Sequence, residues 1–199
     1  CNQLDFLQAY GWQTISPDDL IKGNVLPDKS VLITFDDGYA DNFAAVEALT
    51  QRRLKASWYI VTQDIGKQSS WRDHQAPTLP MLSETQMLEM QSEGMTIGSH
   101  TQSHCRLTEQ SSERIIMELR DSKATLSRIL QRPVNSFAYP YGLYDASIRT
   151  CAKACGYEVA FTTRSGFGLV NGDTLQVRRI SIMADDTLNR FARKLTFAS

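Results

Sequence analysis

The stretch Val31-Leu32-Ile33-Thr34-Phe35-Asp36-Asp37-Gly38-Tyr39 decides how this chain is organised. Its first five residues are apolar or β-branched without a break, which is typical of an interior strand of a parallel sheet. Asp36 and Asp37 follow at the carboxyl end of this strand, where α/β folds place their sites. Gly38 allows the backbone to turn sharply there. The stretch therefore predicts a buried strand that brings two carboxylates to a functional site.

Further strand patterns follow along the chain, and helix patterns separate them. The strand patterns lie at 56–61, 95–98, 136–139, 158–161 and 176–182. The helix patterns lie at 41–54, 83–94, 108–130, 145–154 and 185–195. A regular alternation of strands and helices predicts an α/β fold, in which helices cover a parallel sheet that is either a barrel or doubly wound.

The composition fits one folded domain over residues 1–199. Hydrophobic residues make up 42% and charged residues 22% of the chain, as in ordinary globular proteins. The formal net charge is −1 with both signs mixed, which argues against a nucleic-acid or anionic-membrane binder. No apolar run approaches the roughly 20 residues that span a bilayer. A helical pattern without a capping residue already covers residues 4–11, so we expect the N-terminus to be truncated.

Polar side chains follow three of the predicted strands. They are Asp36 with Asp37, His100 with His104, and the turn Tyr139-Pro140-Tyr141-Gly142. In a parallel α/β fold these strand ends meet at one face. One carboxylate and two imidazoles form a suitable ligand set for Zn²⁺ or a similar divalent ion, and the second carboxylate is then free to act as a base. The spacing of His100 and His104 sets both rings on one side if the segment is a helical turn.

Each piece alone has an ordinary structural explanation. Asp-Asp-Gly after a strand is most often a turn with a helix cap, and Pro-Tyr-Gly is usually just a turn. Two histidines four residues apart occur by chance on helix surfaces. The conjunction of all three pieces at strand ends is far more specific than any one of them, and only one further histidine, His74, exists in the chain.

The three motifs resemble those of a known enzyme family. Residues 34–39, 99–104 and 137–142 are similar to the first three motifs of the polysaccharide deacetylases, which carry the NodB-homology domain of carbohydrate esterase family 4. The resemblance runs from about Ser30 to Ile182. Within the family, Tyr-Pro-Tyr-Gly and the loop at 163–166 look closest to enzymes that act on poly-β-1,6-N-acetylglucosamine.

This resemblance implies a distorted (β/α) barrel with fewer than eight parallel strands. It implies that Asp37, His100 and His104 bind a divalent metal, most readily Zn²⁺, with Co²⁺ or Ni²⁺ as alternatives. Asp36 would be the general base in the hydrolysis of an N-acetyl group of a glycan by a metal-activated water. A backbone N–H near Tyr141 would stabilise the oxyanion, and the setting would be extracytoplasmic. No oligomeric state is implied.

The chain departs from the family pattern at two places. Ala138 stands where the family has an arginine that orients the base, so another group must do this, and Arg164 is a candidate from its loop position. No histidine follows His104, although the family's general acid is a histidine near the last strand. His74 is the remaining imidazole and the candidate acid, with a solvated loop residue as its alternative interpretation.

Candidate substrate-binding residues lie in the same loops as the motifs. They are Trp71, Pro140, Tyr141 and Arg164. Trp71 stacks on a sugar ring or simply fixes its loop, and aromatic faces suit the C–H surfaces of a pyranose.

Two other functions stay open. One is an O-acetyl polysaccharide esterase, in which an alkoxide leaves more easily than an amine and the missing acid matters less. The other is a glycan-binding module that has lost turnover.

Overall fold

The computed structural model describes residues 2–71 and 78–197, so His74 lies outside the described residues. The strands of these residues are β1 (Gln13–Thr14), β2 (Ser30–Val31), β3 (Ile33–Phe35), β4 (Ala56–Ile60), β5 (Thr96–Ser99), β6 (Ser136–Ala138), β7 (Val159–Phe161), β8 (Leu169–Val170) and β9 (Asp173–Val177). The α-helices are α1 (Asn2–Ala9), α2 (Pro17–Ile21), α3 (Ala44–Thr50), α4 (Glu84–Ser92), α5 (Ser112–Leu130), α6 (Ala146–Ala154) and α7 (Leu188–Thr196).

The main sheet has seven strands in the order β3-β4-β5-β6-β7-β9-β8. Successive strands from β3 to β9 pair in parallel, and only β8 is antiparallel to its neighbour. The sheet curls into a half-barrel with helices around it, which confirms the distorted (β/α) barrel with fewer than eight parallel strands. Because consecutive strands run in the same direction, their carboxyl ends lie along one edge of the sheet.

The strongest hydrophobic patterns in the sequence lie in the elements that form the core. All five residues of β4 are buried, and Trp58 stacks on Phe35 of β3 with ring centroids 4.5 Å apart. The apolar positions expected for the long helix, Ile115, Leu119, Leu126 and Leu130, are all buried in α5. That helix ends where Gln131 takes a left-handed conformation, two residues before Pro133. Hydrophobic periodicity therefore located the elements that build the core.

The opening stretch is not an interior strand, which corrects one expectation. Ser30–Val31 pairs with β1 in a separate two-stranded sheet, and only Ile33–Phe35 enters the main sheet. There β3 lies at an edge of the strand order and is partly exposed. The open half-barrel explains this result, because β3 finds a backbone partner on the β4 side alone among the described residues.

Two other boundaries differ from the sequence pattern. The helix expected at 41–54 is a 3₁₀ turn at Ala40–Phe43 followed by α3, which stops at Thr50. The strand expected at 176–182 instead spans Asp173–Val177. It starts earlier than expected because its first residue, Asp173, pairs with Val170 of β8 in a hairpin. Asn171 and Gly172 form the tip of this hairpin with φ of 52° and 74°, as in a two-residue type I′ turn. The Asn-Gly pair was the sequence signal for the hairpin, and it was missed.

Candidate metal centre

Three side chains of the types that bind metal ions converge at the carboxyl ends of β3 and β5. The Oδ1 atom of Asp37 lies 3.3 Å from Nε2 of His100 and 3.3 Å from Nε2 of His104. One ligand atom from each residue lies within 4.8 Å of the others. Both imidazoles are buried and Asp37 is partly exposed. The three side chains therefore form a compact group that opens to solvent on the Asp37 side.

Unusual backbone conformations bring these side chains together. Asp37, Thr101 and His104 have positive φ values of 72°, 67° and 55°. Segment 100–104 is thus an irregular loop and not a helical turn, so the condition under which the spacing alone would set both rings on one side is not met. Gly38 has a φ of 86°, and a Cβ there would lie 2.9 Å from the Ile60 side chain. The tight packing of the turn against β4 explains the glycine after the two carboxylates.

The hydrogen bonding of His100 directs its Nε2 at Asp37. Its Nδ1 lies 2.8 Å from the carbonyl oxygen of Ala138, so Nδ1 carries a proton and donates. Burial lowers the pKa of His100, but the hydrogen bond to Asp37 and the charges of Asp36 and Asp37 outweigh burial and raise it, so a cation on Nε2, either a proton or a metal ion, is favoured between the ring and the carboxylate. Burial lowers the pKa of His104, which favours the neutral imidazole that binds metals.

The distances from the Asp37 carboxylate to the two imidazole nitrogens fit a divalent metal. Two ligands bound at about 2.0–2.1 Å to one tetrahedral ion are about 3.4 Å apart. The observed 3.3 Å separations match this value. Two imidazoles and one carboxylate are a donor set that Zn²⁺ accepts, and three protein ligands leave positions for water and substrate.

The second carboxylate, Asp36, is held by Arg179 and not by Arg164. The guanidinium of Arg179 donates from one nitrogen to Oδ1 of Asp36 at 2.7 Å and from another to Oδ2 at 2.6 Å. It also donates to the Thr162 carbonyl at 3.0 Å and to the Thr34 hydroxyl at 3.1 Å. A bidentate arginine fixes both the position and the plane of a carboxylate. Arg179, and not the candidate Arg164, therefore orients Asp36 in place of the arginine that the family has at the position of Ala138.

Arg179 also keeps Asp36 ionised. Burial raises the pKa of this carboxyl, but the hydrogen bonds and the positive charge of Arg179 outweigh burial, and the pKa lies below its ordinary value. Asp36 is thus a carboxylate at neutral pH, in the state that accepts a proton.

Aromatic residues form a wall beside the metal ligands. The ring centroids of Trp71 and Tyr141 lie 4.8 Å and 4.7 Å from that of His104. The Arg106 guanidinium lies over the Tyr141 ring, 4.1 Å from its centroid. Tyr39 lies next to Trp71, and burial together with the charge of Asp37 raises its pKa to about 12. Tyr39 is therefore neutral beside the metal ligand at physiological pH.

The other two candidate substrate-binding residues lie differently. Pro140 is buried at the start of a 3₁₀ turn, where it positions Tyr141, whose φ is 58°. The guanidinium of Arg164 lies over Tyr144, 5.1 Å from the ring centroid, and its carbonyl accepts the backbone N–H of Arg179 at 3.2 Å. Arg164 thus supports the backbone of the arginine that holds Asp36.

Sequence reasoning missed Arg179, Tyr39 and Arg106. Arg179 follows β9 by two residues, so the strand-end rule that located Asp36 and His100 applied to it as well. It was passed over because that region was searched for a histidine. Arg106 stands two residues after His104 in a loop without periodicity, and no sequence signal indicated its contact with Tyr141.

If Asp36 is a general base, replacing Arg179 with Met should lower the reaction rate by about 10²-fold, because the carboxylate loses its orientation. A carboxyl group accepts a proton only when it is ionised. Without Arg179 burial remains, so the pKa of Asp36 rises and the acidic limb of the pH–rate profile moves to higher pH. Rates measured from pH 4 to 9 test this expectation.

The neighbouring residue offers a matched control. Arg178 is exposed and follows the same strand, so Arg178→Met should keep both the rate and the pH profile. Arg179→Lys keeps the charge but loses the bidentate geometry and should lie between wild type and Arg179→Met. An unshifted acidic limb in Arg179→Met would show that Arg179 does not control Asp36.

Comparison with known proteins agrees with this geometry. The profile of the family described as polysaccharide deacetylase matches residues 23–160, more than half of the chain. The Bacillus subtilis protein YxkH, whose name places it among the polysaccharide deacetylases, is 31% identical over 168 residues. That alignment covers 82% of this chain but only 56% of YxkH. A poly-β-1,6-N-acetyl-D-glucosamine N-deacetylase of Staphylococcus aureus is 24% identical over 97% of this chain and 69% of its own length.

Solved structures with the same fold include two proteins of this kind. The Streptococcus pyogenes deacetylase PplD, in complex with acetate, superposes with a TM-score of 0.86 at 25% identity, over 98% of this chain and 84% of PplD. IcaB from Ammonifex degensii superposes with a TM-score of 0.81 at 25% identity, over 98% of this chain and 87% of IcaB. The chain belongs to the polysaccharide deacetylase family.

Proposed function

We propose that this protein is a metal-dependent hydrolase that removes N-acetyl groups from a bacterial polysaccharide of the poly-β-1,6-N-acetylglucosamine type. The observation that carries the proposal is the placement of Asp36, held by Arg179, next to the group of Asp37, His100 and His104. The Staphylococcus aureus relative, named for that substrate, supports the choice of glycan.

In this proposal Asp37, His100 and His104 bind a divalent cation, most readily Zn²⁺. When bound, the cation supplies Lewis-acid chemistry, which acidifies water and polarises the acetyl carbonyl. Asp36 takes the proton of the attacking water at a carboxylate oxygen. Arg179 orients the carboxylate through two hydrogen bonds and keeps it ionised, in the state that accepts a proton. The backbone N–H of Tyr141 donates to the oxyanion that forms on the acetyl carbon.

The aromatic wall holds the sugar ring. The ring centroids of Trp71 and Tyr141 both lie within 4.8 Å of the ring centroid of His104. Aromatic faces pack well on the C–H surface of a pyranose, and Trp71 and Tyr141 are placed to present an N-acetylglucosamine unit to the metal ligands.

The departing amine needs a proton, because an amide anion is a very poor leaving group. We assign this role to His74. It follows Trp71 by three residues, and Trp71 contacts His104 of the metal centre. Replacing His74 should therefore slow N-deacetylation without changing metal content.

An O-acetyl esterase is the second candidate, and one observation favours it. No histidine follows His104 in the sequence, and an alkoxide departs without the strong acid that an amine requires. A non-catalytic glycan-binding module is disfavoured, because Arg179 replaces the missing arginine and keeps Asp36 as an oriented base.

Acetate release from a panel of defined glycans tests the proposal. We expect release from β-1,6-linked N-acetylglucosamine oligomers with Zn²⁺, Co²⁺ or Ni²⁺, and loss of release with a chelator. Faster release from O-acetylated xylan would favour the esterase. Glycan binding without acetate release at any metal loading would overturn both enzymatic functions.

The location that we propose is extracytoplasmic, because the expected substrates are. Among the residues that the structure describes, no helix has the length and apolar character to cross a bilayer.

A further inference from the structure

Glu118 is a buried carboxylate in the middle of α5. Its side chain has 0% exposure, and both oxygens are used. Oε2 accepts the backbone N–H groups of Gln102 and Ser103, each at 2.9 Å. Oε1 accepts the Ser103 hydroxyl at 2.6 Å and the Arg114 guanidinium at 2.7 Å. A buried carboxylate is tolerated only when it is paired and hydrogen-bonded in this way.

The residues that Glu118 holds are the two in the centre of the metal-binding loop. Gln102 and Ser103 lie between the ligands His100 and His104. On their other side, the backbone N–H groups of Thr62 and Gln63 donate to the carbonyls of Thr101 and Gln102 at 3.2 and 2.9 Å. The centre of the loop is thus clamped between Glu118 and the segment after β4.

This clamp maintains a loop conformation that the chain would not choose by itself. Thr101 and His104, at the two ends of the clamped segment, both have positive φ, which costs energy for residues other than glycine. The His104 N–H donates to the Thr101 hydroxyl at 3.1 Å, so the two ends of the segment are joined across the backbone of residues 102 and 103 and by this local bond. Fixing the 102–103 backbone therefore sets the direction of the His104 ring.

We propose that Glu118 is a positioning residue of the metal centre, which sets metal affinity by holding the backbone between the two histidine ligands. The inference rests on the proposed metal site. It adds a residue outside the three sequence motifs that controls the affinity for the metal. A positioning role and a purely structural role of Glu118 lead to different predictions. A structural role lowers the stability of the fold, whereas positioning lowers the affinity of a fold that is still formed.

Replacing Glu118 with Gln tests the inference with little change in volume. The amide nitrogen of glutamine cannot accept, so either the two backbone N–H groups at Oε2 or the Ser103 hydroxyl and the Arg114 guanidinium at Oε1 lose their acceptor. We expect the dissociation constant for Zn²⁺, measured by competition with a chromophoric chelator, to rise about 10- to 100-fold. We also expect the visible absorption bands of the Co²⁺-loaded protein to shift, because the ligand geometry changes.

Two control variants lie on the same helix. Glu113→Gln removes an exposed carboxylate, and Leu126→Ala lowers stability through a core contact away from the loop. Both should keep the Zn²⁺ affinity and the Co²⁺ spectrum of the wild type. Glu118→Asp, which keeps the charge but shortens the reach, should recover part of the affinity lost in Glu118→Gln.

Ser103→Ala decides the question if Glu118→Gln does not fold. It removes only the hydroxyl that donates to Oε1, and it should weaken Zn²⁺ binding several-fold with the same direction of spectral shift. Wild-type affinity and spectrum in a folded Glu118→Gln or in Ser103→Ala would overturn the positioning role alone. A wild-type protein that binds no divalent metal would instead overturn the proposed function.

Discussion

Replacing Asp36 with Asn is expected to reduce acetate release by about 10²- to 10⁴-fold, the usual contribution of a general base. The amide keeps the shape of the side chain and still accepts one hydrogen bond from Arg179, but it cannot take a proton from water. The metal ligands are untouched, so metal content should stay at the wild-type level. Initial rates with an N-acetylglucosamine oligomer and metal analysis of the same sample measure both quantities.

A nearby carboxylate provides the control for Asp36. Asp41 is exposed in the 3₁₀ turn that follows the motif, so Asp41→Asn removes one negative charge from the same region without removing the base. Its rate should match that of the wild type. If Asp36→Asn keeps more than about a tenth of the wild-type rate, or if Asp41→Asn loses as much, Asp36 is not the base.

Replacing His104 with Asn is expected to remove both metal and activity. The metal's Lewis-acid contribution is several kcal/mol, and each 1.4 kcal/mol corresponds to a factor of ten, so acetate release should fall by about 10³-fold or more. Asn is among the residues that tolerate the positive φ of 55° at this position, so the fold should persist. Metal analysis after dialysis, circular dichroism and acetate release test the three statements together.

His74 supplies the matched control, since it is the one histidine outside the pair. His74→Asn should keep the metal and lose rate on N-acetylated substrates more than on O-acetylated ones. If His104→Asn retains a full equivalent of metal, the ligand assignment is wrong. If His74→Asn loses the metal, the assignment of its role is wrong.

The strand-end rule explains why so much of the site was visible in the sequence. Asp36, Asp37 and His100 come at the ends of predicted strands, and strands that run in parallel must end along the same edge. His104 lies beside Asp37 and His100 as expected, but no helical turn places it there. Its ring is aimed by positive φ values at Thr101 and His104, and such values leave no periodic signal.

Two interactions depend on tertiary closure, so a local pattern could place each residue at a strand end or on a helix face but could not identify its partner. Arg179 follows β9 and reaches Asp36 after β3, 143 positions apart, because the half-barrel brings these two strand ends together. Glu118 stands among charged residues of an amphipathic helix, where a glutamate usually faces solvent. Only its spacing from Ile115 and Ser122 placed it on the buried face.

The central claim is that one divalent ion is bound by Asp37, His100 and His104, and X-ray absorption spectroscopy of the Zn²⁺-loaded protein tests it most directly. The claim predicts a first shell of nitrogen and oxygen at about 2.0–2.1 Å, with the outer-shell scattering of two imidazoles. The imidazole scattering should fall in His104→Asn. A spectrum without imidazole scattering, or one that His104→Asn leaves unchanged, would contradict the claim.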